Sequence, residues 1–230
     1  MATLREEDEG KQSIKLLTLW ASPYGMRALI GLEEKGIHYE SVEQNLQNKS
    51  PLLLQMNPIH KKVPVLIHGG RPVAESLILL QYIDETWPSS NSTAFLPCDP
   101  YDRAIARFWA DFLDNKVCYP GMQIFRTKGE EQDAAKAEFL QNLLLAEGEL
   151  NGKDYFGGDK FGLVDIALIP FISWFHTFES LGKFKISLEE KYPNITAWRK
   201  RCLERASVNK ALPPPEKVLE FAIQIRKRVL

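Results

Sequence analysis

Groups that can hold charge stand where strands and helices begin along this chain. The first is in 20-WASPYGMR-27, which follows the apolar run 14-IKLLTL-19 and precedes the amphipathic 28-ALIGLEEKG-36. Proline is favoured at the first helical position and serine at the residue before it, so Ser22 reads as the cap of a helix beginning at Pro23. The chemical reading is a hydroxyl held at the positive end of a helix, where anions bind. The second is 74-AES-76. Structurally, Ser76 is a cap or first-turn residue and Glu75 favours the helix dipole. Chemically, a carboxylate beside helix-end N–H groups takes an ammonium and a carboxylate from one ligand, as the end of an amino acid requires. With the Lys49 and Lys62 ammonium groups for an acid at the far end, the ligand is peptide-like. The third is 62-KVPVL-66, where Pro64 interrupts the start of a strand. A cis bond there would bend the chain and expose the Val63 backbone N–H and C=O, while a strand-opening trans proline is the commoner arrangement.

The elements that must position these groups change character near residue 90. Before it, apolar runs and turn residues predict strand 14–20, helix 23–35, strand 38–43, a short helical or irregular stretch around 50–57, strand 63–67, a Gly69-Gly70 turn, strand 71–74 and helix 75–87. The order β-α-β then β-β-α gives a small mixed sheet with helices packed on it. The segment 88-PSSNSTAFLPCDP-100 reads as a linker. Beyond it, helical spacing over 101–117, 133–150, 162–181, 193–206 and 214–229 predicts an all-α second domain. The domain bounds expected are a polar tail at 1–13, a first domain at 14–88, a linker at 89–100 and a helical domain at 101–230.

Composition narrows the function. The chain has 230 residues, 44% of them apolar, and 29 basic against 30 acidic residues leave a net charge of −1. Without a long basic block, neither nucleic acid nor an anionic membrane is an expected partner. The polar start lacks the features of a secretion or organelle signal, and the longest apolar region, 161–175, contains Asp165 and Pro170 and is too short to span a bilayer. A cytoplasmic protein is expected. Cys98, Cys118 and Cys202 have no neighbours at metal-ligand spacing, so reduced thiols and no metal site are expected. His38, His60, His68 and His176 stand alone, and no catalytic role is assigned to them.

Taken in order, SPYGMR, 57-NPIHKKVPVL-66, 75-ESLILLQYID-84 and 161-FGLVDIA-167 resemble the plant tau class of cytosolic glutathione transferases from about residue 14 to the end of the chain. The resemblance implies the glutathione transferase fold: an α/β thioredoxin-like N-terminal domain with a mixed four-stranded sheet, then an all-α C-terminal domain. It also implies a cis Val63-Pro64 bond, a cytosolic homodimer, glutathione as co-substrate and no permanently bound cofactor. The implied activity is conjugation of glutathione to small hydrophobic electrophiles, with a side glutathione peroxidase activity. The alternative is a non-catalytic carrier of glutathione conjugates or hydrophobic metabolites.

Carried over residue by residue, Ser22 matches the catalytic serine that donates to the glutathione sulfur. Lys49 and Lys62 match residues near the glycine carboxylate, Val63 the backbone that pairs with the cysteinyl unit, and Glu75 and Ser76 the γ-glutamyl clamp. A hydroxyl donor with a helix N-terminus supplies the stabilisation a thiolate needs, so no base is required and Ser22 is not a covalent nucleophile. Tyr24, Leu46, Cys118, Met122, Phe125, Trp174, Phe221 and Ile225 match the acceptor pocket, and helix-core packing is the competing reading of the same side chains. The chain departs from the family at Tyr24, commonly Phe. It departs again at Gly162, where many classes have Ser or Thr three residues before an acidic residue, here Asp165.

Overall fold

The computed structural model describes residues 13–88 and 94–229. Apart from Ser13, the expected polar tail lies outside the described residues, as does 89–93 of the expected linker. The chain divides into two compact units, Met1–Ser92 and Thr93–Leu230.

The first unit runs β1 (Ile14–Thr18), α1 (Pro23–Glu34), β2 (Glu40–Glu43), α2 (Pro51–Met56), β3 (Val65–His68), β4 (Arg71–Ala74) and α3 (Ser76–Thr86). The sheet order is β2-β1-β3-β4, with β1 parallel to β2 and antiparallel to β3, and β3 antiparallel to β4. Gly69 and Gly70 close the β3–β4 hairpin with φ of 54° and 77°, the left-handed pair a two-residue turn needs. Pro72 sits on the outer strand β4, where a missing N–H breaks no inner ladder. Leu17, Leu53, Val65 and Ile67 form a buried cluster, joined by the partly buried Val42, Leu52, Met56 and Val63. Lys35 at the end of α1 meets Asp84 of α3 at 2.7 Å, both side chains nearly buried. The first strand ends two residues before the expected end at 20, because Ser22 N–H donates to the Leu19 carbonyl at 2.8 Å and turns the chain into α1.

The described residues of the second unit are almost wholly helical: α4 (Pro100–Leu113), a π-helical turn (Asp114–Cys118), α5 (Tyr119–Arg126), α6 (Glu130–Leu150), α7 (Leu163–Gly182), α8 (Leu188–Lys191), α9 (Pro193–Leu203), α10 (Ala206–Ala211) and α11 (Pro215–Val229). The helix expected over 101–117 thus ends at Leu113 and passes through the wider turn into α5, a helix the spacing did not separate. The stretch 193–206 likewise breaks after Leu203, where Glu204 and Arg205 N–H groups bond three residues back instead of four. The apolar α7 forms the centre, with its residues buried from Leu163 to Phe175. Among the described residues no helix is long and apolar enough to cross a membrane.

Candidate active site

Ser22 is the N-cap of α1, with φ −77° and ψ 114°, and its Oγ accepts from Gly25 N–H at 3.2 Å. Having accepted there, the hydroxyl has its proton to donate, and among the described residues no side chain or carbonyl is recorded taking it. Gly25 has a reason of its own. A Cβ at that position would run into the Thr18 side chain, so the first turn of α1 lies directly against the end of β1 and holds Ser22 at the strand's edge.

Five residues into the same motif, Arg27 is fully buried. Its Nη1 donates to Ser76 Oγ at 3.0 Å, and its guanidinium lies 5.2 Å from the centre of the Tyr24 ring. In the sequence Arg27 is one more residue of the motif, with nothing in its type or spacing that marks a role. Ser76 is the first residue of α3, and Glu75 before it occupies the N-cap position with φ 71° and no side-chain cap bond. A non-glycine residue at that φ costs about 1–3 kcal/mol, and such residues cluster at ligand clamps and active sites. The Glu75 carboxylate is half exposed and stands 3.8 Å from His60 Nδ1.

The loop between α2 and β3 is organised by Asn57, which is 4% exposed. Its Nδ2 donates to the Lys62 carbonyl at 3.0 Å, while its Oδ1 accepts from His60 N–H at 3.2 Å. Lys61 takes a left-handed φ of 53°, and the Val63-Pro64 bond is cis. The first unit therefore ties the Ser22 helix, the Glu75-Ser76 junction and the Lys62-Val63 loop into one connected set. The Lys49 side chain joins no described residue by a hydrogen bond or ion pair. Gln44 braces the chain before Lys49, accepting from Ser50 Oγ at 2.6 Å.

In the second unit the expected acceptor-pocket residues fall into two groups. Cys118, Met122, Phe125 and Trp174 are buried, with the Phe125 and Trp174 rings 5.2 Å apart. Phe221 and Ile225 on α11 are half-buried. In the first unit Tyr24 is half-buried and Leu46 exposed.

The Asp165 motif is supported differently from the expected capping box. Asp165 Oδ2 accepts from Gly162 N–H at 2.8 Å, and Oδ1 from Phe156 N–H at 3.0 Å and Trp198 Nε1–H at 2.7 Å. Gly162 has no side chain to return the bond. Instead the Phe95 carbonyl accepts from Leu163 N–H at 2.8 Å, and a Cβ at Gly162 would stand 2.8 Å from that same oxygen. Burial pushes the Asp165 carboxyl up to about 6, against the lowering effect of its N–H donors.

The first unit thus brings Ser22, Arg27, Glu75, Ser76 and the Lys62-Val63 loop together on a small mixed sheet. Residues 12–85 match the family model "Glutathione S-transferase, N-terminal domain", and residues 105–206 match "Glutathione S-transferase, C-terminal domain". The chain belongs to the glutathione S-transferase family and is an enzyme of that kind. Within the family it falls in the plant tau class. It is 55% identical over 213 residues to glutathione S-transferase U19 of Arabidopsis thaliana, covering 93% of this chain and 95% of the relative. It is 52% identical over 217 residues to the probable glutathione S-transferase parC of Nicotiana tabacum, covering 94% and 97%. Among solved structures, rice GST1 in complex with glutathione superposes with a TM-score of 0.87 at 44% identity, covering 95% of this chain and 98% of that one. The tau-class enzyme of mango, Mangifera indica, gives 0.85 at 43%, covering 94% and 99%.

Proposed function

We propose that this enzyme conjugates glutathione to small hydrophobic electrophiles through a thiolate stabilised by Ser22. The observation that carries the reading is the Ser22 hydroxyl, which accepts from Gly25 N–H and so has its own proton to give. Hydrogen-bonded to the glutathione sulfur, that O–H makes a stronger bond once the thiol ionises, which favours the thiolate while the thiol's own proton passes to solvent water and no protein base is needed. Attack by the sulfur then forms a carbon–sulfur bond while the acceptor's leaving group departs with its electron pair. Glu75 takes the γ-glutamyl ammonium and Ser76 its carboxylate. The Val63 backbone pairs with the cysteinyl unit, and Lys49 and Lys62 attract the glycine carboxylate. The half-buried Phe221 and Ile225, with Tyr24 and Leu46, are assigned to acceptor selectivity. Cys118, Met122, Phe125 and Trp174 are assigned to the same role, with helix-core packing as the competing reading of these buried side chains.

A cytosolic homodimer completes the proposal on the strength of the tau-class likeness alone. Sedimentation of the purified protein and cell fractionation test it. The activity itself is tested by turnover of chlorodinitrobenzene with glutathione, where a second-order rate well above the uncatalysed reaction is expected. Glutathione retention without turnover would replace conjugation by a carrier function.

A further inference from the structure

Arg27 is the one fully buried cation of the motif that opens α1, and its contact with Ser76 carries information about the ligand. A guanidinium has N–H donors and no acceptor. In the contact at 3.0 Å the Ser76 oxygen must therefore accept, spending one of its two lone pairs on Arg27 and turning the O–H away from the cation. The Ser76 O–H is then left as a donor, and among the described residues no acceptor for it is recorded. Ser76 is 7% exposed, and its position at the start of α3 keeps the hydroxyl beside the helix N-terminus. The guanidinium carbon also lies 5.2 Å from the centre of the Tyr24 ring, a cation–π contact that helps hold Arg27 in this place.

We propose that Arg27 is a positioning residue that fixes Ser76 as a hydrogen-bond donor, so that this point of the glutathione site accepts a carboxylate and rejects an ammonium. The proposal rests on the γ-glutamyl clamp described above and adds to it a cause for its polarity. Arg27 touches no substrate itself. It acts through the Ser76 hydroxyl and through its own positive charge beneath the carboxylate.

The test uses Arg27→Met, Arg27→Lys and Ser76→Ala with three thiol substrates: glutathione, its analogue lacking the γ-glutamyl amine (glutaryl-Cys-Gly), and its analogue lacking the γ-glutamyl α-carboxylate (4-aminobutyryl-Cys-Gly). Arg27→Met should raise KM for glutathione and glutaryl-Cys-Gly by about tenfold or more and leave 4-aminobutyryl-Cys-Gly within about twofold, with kcat at saturating thiol little changed. Arg27→Lys, still a donor without an acceptor, should restore part of the loss. Adding Ser76→Ala to Arg27→Met should cost much less than Ser76→Ala costs alone. An equal rise in KM for all three thiols would mean that Arg27 only supports the fold, and would overturn the proposal. So would a normal glutathione KM in Arg27→Met while Ser76→Ala raises it, a result that leaves the clamp standing. A normal glutathione KM in both Ser76→Ala and Glu75→Ala removes the clamp and the proposal together. Ser76→Ala leaves the buried cation in place, so it reads the same hydrogen bond even where Arg27→Met fails to fold.

Discussion

Replacing Ser22 by glycine separates the two tasks given to its hydroxyl. As a helix cap, glycine is only a few tenths of a kcal/mol worse than serine, whereas alanine costs about 1 kcal/mol. Ser22→Gly should therefore denature almost with the wild type, and Ser22→Ala measurably earlier. As a donor to a thiolate, the hydroxyl is worth about 1.5–3 kcal/mol, or about tenfold to hundredfold in the ionised fraction at neutral pH. The local geometry places the loss near the lower end. Without Oγ the Gly25 N–H, now capped at 3.2 Å, is freed and aims at the vacated position, while Pro23 has no N–H to add. A turnover deficit of about tenfold near pH 6.5 is expected in Ser22→Gly, shrinking as pH rises toward the ordinary thiol value of about 8.5, where the sulfur ionises unaided. The assay is the conjugation rate at saturating glutathione across that pH range, with thiolate absorbance of the bound ligand as a second readout. A deficit that stays constant with pH, or a variant as fast as wild type at pH 6.5, would refute a role for Ser22 in thiolate stabilisation.

Glu75→Ala and Lys62→Ala should each raise the glutathione KM by about tenfold while acceptor KM stays within about twofold, as steady-state kinetics with both substrates varied would record. Phe221→Ala or Ile225→Ala should change acceptor preference across a panel of chlorinated aromatics, isothiocyanates and hydroperoxides without touching glutathione KM. Met122→Arg, by contrast, puts a charge at a position only 4% exposed and should first appear as lost stability in thermal denaturation, by about 3 kcal/mol or more. Asp165 binds its proton more tightly in the folded chain, with its carboxyl raised from 3.8 to about 6 mainly by burial. Its contribution to stability is thus fully present below about pH 4 and is lost as pH rises through 6. Asp165→Asn should cost about 1–3 kcal/mol and remove that slope, which denaturant midpoints measured on both proteins between pH 4 and 7 will read.

Much of the first unit was legible because its signals are local. Ser22-Pro23 announces α1, Gly69-Gly70 announces the hairpin, and Pro72 marks an outer strand. What stayed hidden depends on residues distant in sequence or on backbone angles without a residue-type signature. Nothing at position 27 foretells a bond to position 76, and Asn57 looks like an ordinary loop residue until it is found holding the Lys62 carbonyl. Glu75 and Lys61 take left-handed angles that sequence assigns to glycine or asparagine. His60 stands alone in the sequence, yet its ring lies 3.8 Å from the Glu75 carboxylate. In the second unit the π-helical turn escaped because it widens a helix by one residue while the apolar spacing carries on through Val117 and Cys118. The acceptor residues are the hardest to read. An apolar side chain at helical spacing serves a core and a binding wall equally well, and the buried Phe125–Trp174 pair has the signature of both.

The Phe95 carbonyl that serves α7 in place of a capping side chain makes position 162 hostage to position 95. A serine or threonine there, favourable at most helix starts, would bring its Cβ to 2.8 Å from that oxygen before its hydroxyl could form any bond. A side chain at 162 therefore requires the 94–96 backbone to shift with it. Grafting α7 with its capping motif between enzymes of this family should succeed only when the segment carrying Phe95 travels with it.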